Sequence, residues 1–295
     1  MTPVIHPETR LGHVHYTVAS LDRQVAFYQN ILGFKVHWRE RASAGLGAGG
    51  EDLLRLTEME NARRYKGTTG LYHTAFNVPT RWELAQLLSS IVQTQTPIQG
   101  MSNHGTHLAI YLPDAEENGI ELAWDFPPDQ WHKTFASVMQ QRRFDPRELL
   151  RELEQQPARW QGLDPASRVG HVHLHVADLH ATERFYQNTL GLEFPDYVRD
   201  APAQFKEQAR FFSAGGYHHH IGTNVWNGVG APPPPADALG LRYFTLVLPN
   251  EGELERVRER VQAADIAIEP SSQGTLLRDP AGNGLLLTVN AVGGF

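Results

Sequence analysis

The sequence predicts an α+β fold of four βαβββ modules, two in each half of the chain, with a helical connector between the halves. One stretch occurs twice: residues 12–33 read GHVHYTVASLDRQVAFYQNILG and residues 170–191 read GHVHLHVADLHATERFYQNTLG. A shorter repeat joins LYHTAFNVP at 71–79 to LRYFTLVLP at 241–249. Each stretch begins with the alternation of a strand, and a helical pattern follows. Because a gap-free repeat of this length is rare by chance, we infer an internal duplication.

The longer repeat sets the order of elements in the first and third modules. Its alternating start predicts a strand, Ser20 and Asp178 are the candidate helix N-caps, and a Leu-Gly pair ends each helix. The two histidines of the first strand, His13 and His15, share one face of that strand. The rest of the first module is predicted as strands at 34–39 and 52–56 with a glycine-rich turn over 43–50.

The shorter repeat opens the second and fourth modules. The second is predicted as a strand at 71–78, a helix at 82–92, a loop at 97–104 and strands at 107–112 and 120–124. The fourth has a strand at 241–248 and a helix at 251–263. A composition change at residue 127 and a charged helix after Asp145 indicate the connector. We therefore predict module pairs at residues 8–126 and 168–292, joined by a connector at 127–167.

Composition limits the classes of function. The chain has 295 residues, a net charge of −7 and 41% hydrophobic residues, which is typical of a globular protein without a basic nucleic-acid surface. No apolar run reaches the roughly 18 residues of a membrane span, and the first residues lack the apolar core of a signal peptide. We expect a cytoplasmic protein. Since the chain has no cysteine and 15 histidines, any metal ligands must be His, Asp or Glu.

The repeated pattern GHV…VADL…FY…LG, followed by NGIEL at 118–122, resembles the vicinal oxygen chelate superfamily, which includes glyoxalases, bleomycin resistance proteins and dioxygenases. With four modules in one chain, the sequence is most similar to extradiol ring-cleaving dioxygenases of the catechol 2,3-dioxygenase type. The resemblance implies paired βαβββ modules in the vicinal oxygen chelate fold. It also implies an oxidoreductase of aromatic hydrocarbon catabolism.

The resemblance implies a metal site as well. In that family two His and one Glu hold Fe(II), and His73 and Glu121 match two of these ligands. Tyr111 lies ten positions before the Glu, as the family's tyrosine does. His104 corresponds to its loop histidine, and His219, in the run Gly216–His220, corresponds to its acid/base histidine.

The third ligand depends on how the modules pair. If modules one and two pair in sequence, the ligand is His13. If modules two and three pair in a crossed arrangement, it is His171. Only the crossed arrangement brings His219 to the other residues, since Tyr243 and Leu286 replace the ligands in the fourth module. We predict the crossed arrangement, with His13 as the alternative first ligand.

These residues predict an Fe(II)-dependent dioxygenase that inserts O2 into a catechol-like aromatic diol. Two His and one carboxylate leave three metal positions open, enough for a diol and O2. Mn or another divalent metal is the alternative cofactor. A lyase or isomerase of the same superfamily and a metal-free protein that binds small aromatic molecules are the alternative functions. The sequence does not decide whether His107 has a role in the site. A solvent or core role is predicted for His218 and for His220. The oligomeric state stays open between monomer and homo-oligomer.

Overall fold

The structure, a computed structural model, describes residues 4–139, 144–156 and 159–289. The predicted end of the second module pair, residue 292, lies outside the described residues. The first two modules have the predicted βαβββ order. The first contains β1 (Arg10–Val18), α1 (Leu21–Asn30), β2 (Lys35–Arg39), β3 (Ser43–Gly47) and β4 (Asp52–Glu58). The second contains β5 (Gly70–Asn77), α2 (Arg81–Gln93), β6 (Gly100–Asn103), β7 (His107–Pro113) and β8 (Gly119–Asp125).

The connector is helical, as predicted. It contains a 3-10 turn (Pro128–Gln130), α3 (Phe135–Met139) and α4 (Pro146–Gln155). The third module contains β9 (Arg168–His175), α5 (Leu179–Glu183), a π-helical turn (Arg184–Thr189), α6 (Asp196–Arg199), α7 (Ala203–Lys206), β10 (Ala209–Phe212) and β11 (Ile221–Asn224). The fourth contains β12 (Gly240–Val247), α8 (Glu251–Ala263), β13 (Ile268–Glu269), β14 (Thr275–Arg278) and β15 (Gly284–Thr288).

The strands form two sheets, and each sheet takes one module from each half of the chain. The first sheet has the order β13-β14-β15-β12-β1-β4-β3-β2, and the second has the order β10-β11-β9-β5-β8-β7-β6. Modules one and four meet where β1 pairs antiparallel with β12. Modules two and three meet where β5 pairs antiparallel with β9. The predicted fold class is confirmed, and the modules pair in the crossed arrangement.

The two modules within each half of the chain also contact each other, through a tyrosine that follows the first strand of the half. The hydroxyl of Tyr28, on α1, donates to the buried carboxylate of Asp114 in the second module at 3.2 Å. Its repeat equivalent, Tyr186, donates to Asp279 in the fourth module at 3.0 Å. Tyr28 and Tyr186 are both fully buried. The predicted helix caps are confirmed as well, since Ser20 and Asp178 accept backbone N–H bonds at the helix starts.

Two segments that the sequence predicted as turn and loop are strands. Ser43–Gly47 is β3 and pairs with both β2 and β4, and Gly100–Asn103 is β6 and pairs with β7. Glycine has a packing role in β3, because a Cβ at Gly45 would collide with the Trp38 indole and one at Gly47 with the His37 imidazole. Glycine within a strand often marks such a close approach.

The third module departs from the predicted βαβββ pattern. Among its described residues, an isolated bridge between Glu193 and Ser213 stands in place of one strand, and the short helices α6 and α7 follow it. Pro195 and Pro202 precede these helices and favour their starts. As a result, aromatic side chains of this module lie next to the concave face of the second sheet.

Candidate metal centre

Three predicted ligands meet on neighbouring strands of the second sheet. His73 is on β5, Glu121 on β8 and His171 on β9, and β5 lies between the other two strands. The Nε2 atoms of His73 and His171 are 3.2 Å apart, and each lies 3.2 Å from Oε2 of Glu121. The three side chains are 7%, 2% and 1% exposed in the order His73, His171, Glu121. The crossed pairing of modules is what brings His171 to the other two.

This triangle fits a divalent cation. Neighbouring ligands of an octahedral ion with bonds of about 2.1 Å stand about 3 Å apart. Burial raises the pKa of Glu121, but His171 and hydrogen bonds from His107, His171 and His73 outweigh burial and hold that pKa well below its usual range. Burial lowers the pKa of His171 more than Glu121 raises it. An ionised carboxylate and a neutral imidazole are the protonation states that bind a metal.

Tyr111 and His104 lie beside the triangle, as the sequence predicted. Tyr111 is on β7 directly opposite Glu121, and Nε2 of His104 is 2.8 Å from its hydroxyl oxygen. Burial raises the pKa of Tyr111 well above its usual value, and the charge of Glu121 raises it further. Burial also lowers the pKa of His104 to about 3. The pair is therefore a neutral phenol hydrogen-bonded to a neutral imidazole.

His219 reaches the same site from the segment between β10 and β11. Its ring centroid is 4.2 Å from that of His171, and its Nδ1 lies 3.3 Å from the hydroxyl of Tyr197. Burial, with the neighbouring His171 and His218, holds the pKa of His219 well below its usual value. The imidazole is therefore neutral.

Two further histidines extend the site. Nε2 of His107 lies 2.9 Å from Oε1 of Glu121, the oxygen that points away from the triangle. The His107 ring stacks on that of His218 at 4.9 Å, and Nε2 of His218 is 3.2 Å from Asp125. His218 and His220 are both buried. Of the two roles predicted for them, solvent or core, their burial fits the core role. His107 shares a strand face with Tyr111, and that period-two spacing was the available sequence signal.

His107, Asp125 and His218 also bring ligand atoms within 4.8 Å of one another. Their hydrogen bonds argue against a second metal here. Asp125 accepts from the hydroxyl of Tyr217 at 2.8 Å and from the guanidinium of Arg168 at 2.9 Å, besides its contact with His218. A carboxylate with these donors has little capacity left for a cation. We interpret this network as one that orients His218 and the stacked His107, which in turn contacts Glu121.

The triangle lies in the wall of a cavity of about 720 Å³. One part of the lining is polar and comes from the metal-site residues and their neighbours. The other part is apolar or aromatic and comes from the connector and the third module, including Val138, Phe144, Tyr197, Phe205 and Phe211. Tyr72 and Trp226 are 41% and 51% exposed and also line the cavity. Such a cavity is in the size range that binds small organic molecules.

Comparisons with known proteins agree with the fold and the repeat. The family model of the Glyoxalase/Bleomycin resistance protein/Dioxygenase superfamily matches residues 10–123 and 168–286. The chain belongs to this superfamily. Among curated superfamily proteins, it is 38% identical to the catechol-2,3-dioxygenase of Bacillus subtilis (strain 168) over 282 residues, which cover 94% of this chain and 95% of that protein.

Solved structures of the superfamily have the same fold. A provisionally named dioxygenase from Bacillus subtilis subsp. subtilis str. 168 aligns with 99% of this chain and 86% of its own, at a TM-score of 0.62 and 13% identity. Glyoxalase I from Zea mays aligns with 95% of this chain and 92% of its own, at a TM-score of 0.58 and 17% identity. Separately, the part of the chain that the structure describes has no helix with both the length and the apolar character needed to cross a bilayer.

The first sheet carries the repeat-related counterpart of this triangle. There His13 takes the place of His171, Tyr243 that of His73 and Leu286 that of Glu121. Nε2 of His13 is 3.4 Å from the Tyr243 hydroxyl, and the structure does not bring His13 to His73. Burial and the nearby charge of Arg55 lower the pKa of His13 to about 2.

Arg55 itself is buried and donates to Asp52 at 2.8 Å and to Gln273 at 3.1 Å. A protein cation therefore already lies near His13, and the carboxylate ligand is replaced by leucine. Both features disfavour a second metal ion in the first sheet.

Proposed function

We propose that this protein is an extradiol ring-cleaving dioxygenase that uses Fe(II) to insert O2 into a catechol-like aromatic diol. The observation that carries the proposal is the buried triangle of His73, Glu121 and His171 beside a cavity of small-molecule size. The 38% identical relative that bears the name catechol-2,3-dioxygenase supports it. Proposed roles are metal ligation for the triangle, substrate hydrogen bonding for Tyr111 and proton transfer for His219.

The metal would act as Lewis acid and template for the diol and O2. His73, His171 and Glu121 would hold such an ion at the wall of the cavity. His107 contacts the outer oxygen of Glu121 at 2.9 Å, so it holds the carboxylate in the orientation in which Oε2 faces both histidines. Contacts of this kind typically change metal affinity.

Tyr111 and His219 are the proposed partners of the diol. With its proton on Nε2, His104 donates to the Tyr111 oxygen, and the phenolic hydrogen is then left to donate to Glu121 or to a substrate oxygen. His219 is neutral before substrate binds. A diol that ionises beside it places negative charge near the imidazole, and this charge favours the protonated form. His219 is thereby able to take a proton from a diol hydroxyl.

The experiment is oxygen uptake by protein loaded with Fe(II) under anaerobic conditions and then mixed with catechol and O2. Extradiol cleavage places both atoms of O2 in one ring-opened product that carries an aldehyde, so mass spectrometry with isotopically labelled O2 and an assay for the aldehyde together detect it. Loading with Mn(II) or Zn(II) tests the metal. If Fe(II)-loaded protein binds catechol without consuming O2, the dioxygenase proposal is wrong. Loss of catechol binding on metal removal would separate a metal enzyme from a metal-free binding protein.

A further inference from the structure

We infer that the cavity selects diols that carry an uncharged, apolar substituent, and that Phe205 and Phe211 form the subsite for that substituent. This inference rests on the proposed function and names the substrate class of the same site. Four features of the cavity carry it: its volume, its aromatic wall, the origin of that wall and its charge.

The cavity is larger than one ring requires. Its volume of about 720 Å³ is in the upper part of the range of about 300–1,000 Å³ that takes drug-sized ligands. A diol bound at the triangle leaves the remainder of this volume for a group on the ring. That remainder faces the connector and the third module, because Val138, Phe144 and Phe205 line it.

The aromatic wall starts at the proposed acid/base residue and leads away from it. The ring of Phe211 lies 5.0 Å from that of His219 in an edge arrangement. Phe205 stacks on Phe211 with the ring planes 4° apart and the centroids 5.9 Å apart. Phe135 of α3 contacts the Phe205 ring at 4.5 Å. A substituent on a diol held next to His219 would therefore contact aromatic faces along its length.

The short helices of the third module create this wall. The bridge between Glu193 and Ser213 stands in place of a strand, and α6 and α7 follow before β10. They place Tyr197 and Phe205 at the cavity, where Tyr197 packs with Val138 of the connector. The wall thus comes from the segments in which this chain departs from the βαβββ pattern.

The charge of the lining disfavours an anionic substituent. The lining residues within the described part of the chain include neither lysine nor arginine. A carboxylate on the ring would lose hydration in the cavity. Among the described lining residues it would find no cation for a charge-assisted hydrogen bond. An alkyl or aryl group would instead gain about fourfold in binding for each methylene that it buries.

The test compares three diols: catechol, 4-butylcatechol and 3,4-dihydroxybenzoate. We expect kcat/KM of the Fe(II)-loaded protein to be roughly 10–100-fold higher for 4-butylcatechol than for catechol. The value for 3,4-dihydroxybenzoate should be at least about tenfold lower than that for catechol. Calorimetric binding of the same diols without oxygen should give the same order. A carboxylated diol that binds best overturns the inference, even if all three diols are cleaved.

Binding without turnover separates the two proposals. If the diols bind in the expected order and none is cleaved, the dioxygenase proposal is wrong and the subsite inference stands. If catechol is cleaved and the butyl group gives no advantage in either measurement, the subsite inference is wrong and the dioxygenase proposal stands.

A matched pair of variants locates the subsite. Phe205→Ala removes a ring that lines the cavity, whereas Phe135→Ala removes its packing partner, which lies outside the lining. We expect the ratio of butylcatechol to catechol affinity to fall about fivefold or more in Phe205→Ala and to stay within twofold in Phe135→Ala. Phe205→Leu, which keeps an apolar contact with Phe135, provides a second variant with a smaller loss. Equal losses at both positions would overturn the assignment of Phe205.

Discussion

The two first-strand histidines of the repeat allow a matched test of the metal site. His171 and His13 are both nearly inaccessible, at 2% and 1% exposed, and they occupy equivalent places on β9 and β1. Nε2 of His171 lies 3.2 Å from Glu121 and 3.2 Å from His73. His13 instead contacts Tyr243. We predict that His171→Ala empties the metal site and that His13→Ala leaves it filled.

The size of the effect follows from sharing the binding free energy among the ligands. A buried divalent site worth about 10–16 kcal/mol with four ligands gives about 2.5–4 kcal/mol for each. Loss of His171 should therefore weaken metal binding by roughly 10²–10³-fold. Loss of His13 removes its contacts with Tyr243 and Thr245 and should cost about 1–3 kcal/mol of unfolding free energy. Its metal affinity should be unchanged.

Metal content after dialysis against graded chelator gives the affinities, and chemical denaturation in excess chelator gives the stabilities. The chelator matters because bound metal itself stabilises the folded state. A metal-free His13→Ala protein beside a fully loaded His171→Ala protein would refute the assignment of the site to the second sheet. Two metal ions per wild-type chain, one of which is lost in His13→Ala, would refute the argument that Arg55 and Leu286 disfavour a site in the first sheet.

Four other variants test single features. His107→Phe, which keeps a ring but removes the contact with Glu121, should weaken metal affinity about 10–100-fold, and retention of that affinity would refute its supporting role. His219→Gln should keep the metal and lower kcat about 10²–10⁴-fold; metal loss would instead make His219 a ligand. Leu286→Ala, at a buried position, should cost about 2–5 kcal/mol of unfolding free energy with full metal content, and selective metal loss would contradict the repeat alignment. Burial raises the pKa of Glu83 to about 7. In the unfolded chain this carboxyl loses its proton near pH 4.5, so the contribution of Glu83 to the free energy of unfolding falls as the pH rises from about 4.5 to 7. The unfolding free energy of Glu83→Gln minus that of wild type should therefore be about 1 kcal/mol higher at pH 8 than at pH 4. Urea unfolding at the two pH values measures this difference, and the same value at both would contradict the prediction.

The repeat accounts for most of what the sequence predicted. It aligned two modules with two others, and the resemblance to the superfamily then implied ligand roles for His73, Glu121 and either His13 or His171. It also revealed which half lacked ligands, and the crossed pairing followed from that asymmetry. The structure shows this pairing directly in the β5–β9 ladder.

The features that the sequence missed depend on contacts between distant segments. The strand β3 was hidden because Gly45 and Gly47 lack side chains to alternate, and only the packing of Trp38 and His37 shows why they are glycines. The contact of His107 with Glu121 depends on the register of β7 against β8, in which Tyr111 is opposite Glu121 and His107 is opposite Asp125. Local alternation placed His107 on a face but not next to a partner.

The crossed sheets have a consequence for synthesis of the chain. When the first half has left the ribosome, β1 and β5 each have one edge without its native partner, because β12 and β9 have not yet been made. Unpaired edges readily pair with other strands, and one pairing open to this half joins β1 to β5. Such a pair would correspond to the sequential arrangement, with His13 beside His73 and Glu121. We expect the nascent chain to separate any such pair before its second half folds, which makes folding slower than the length of the chain suggests.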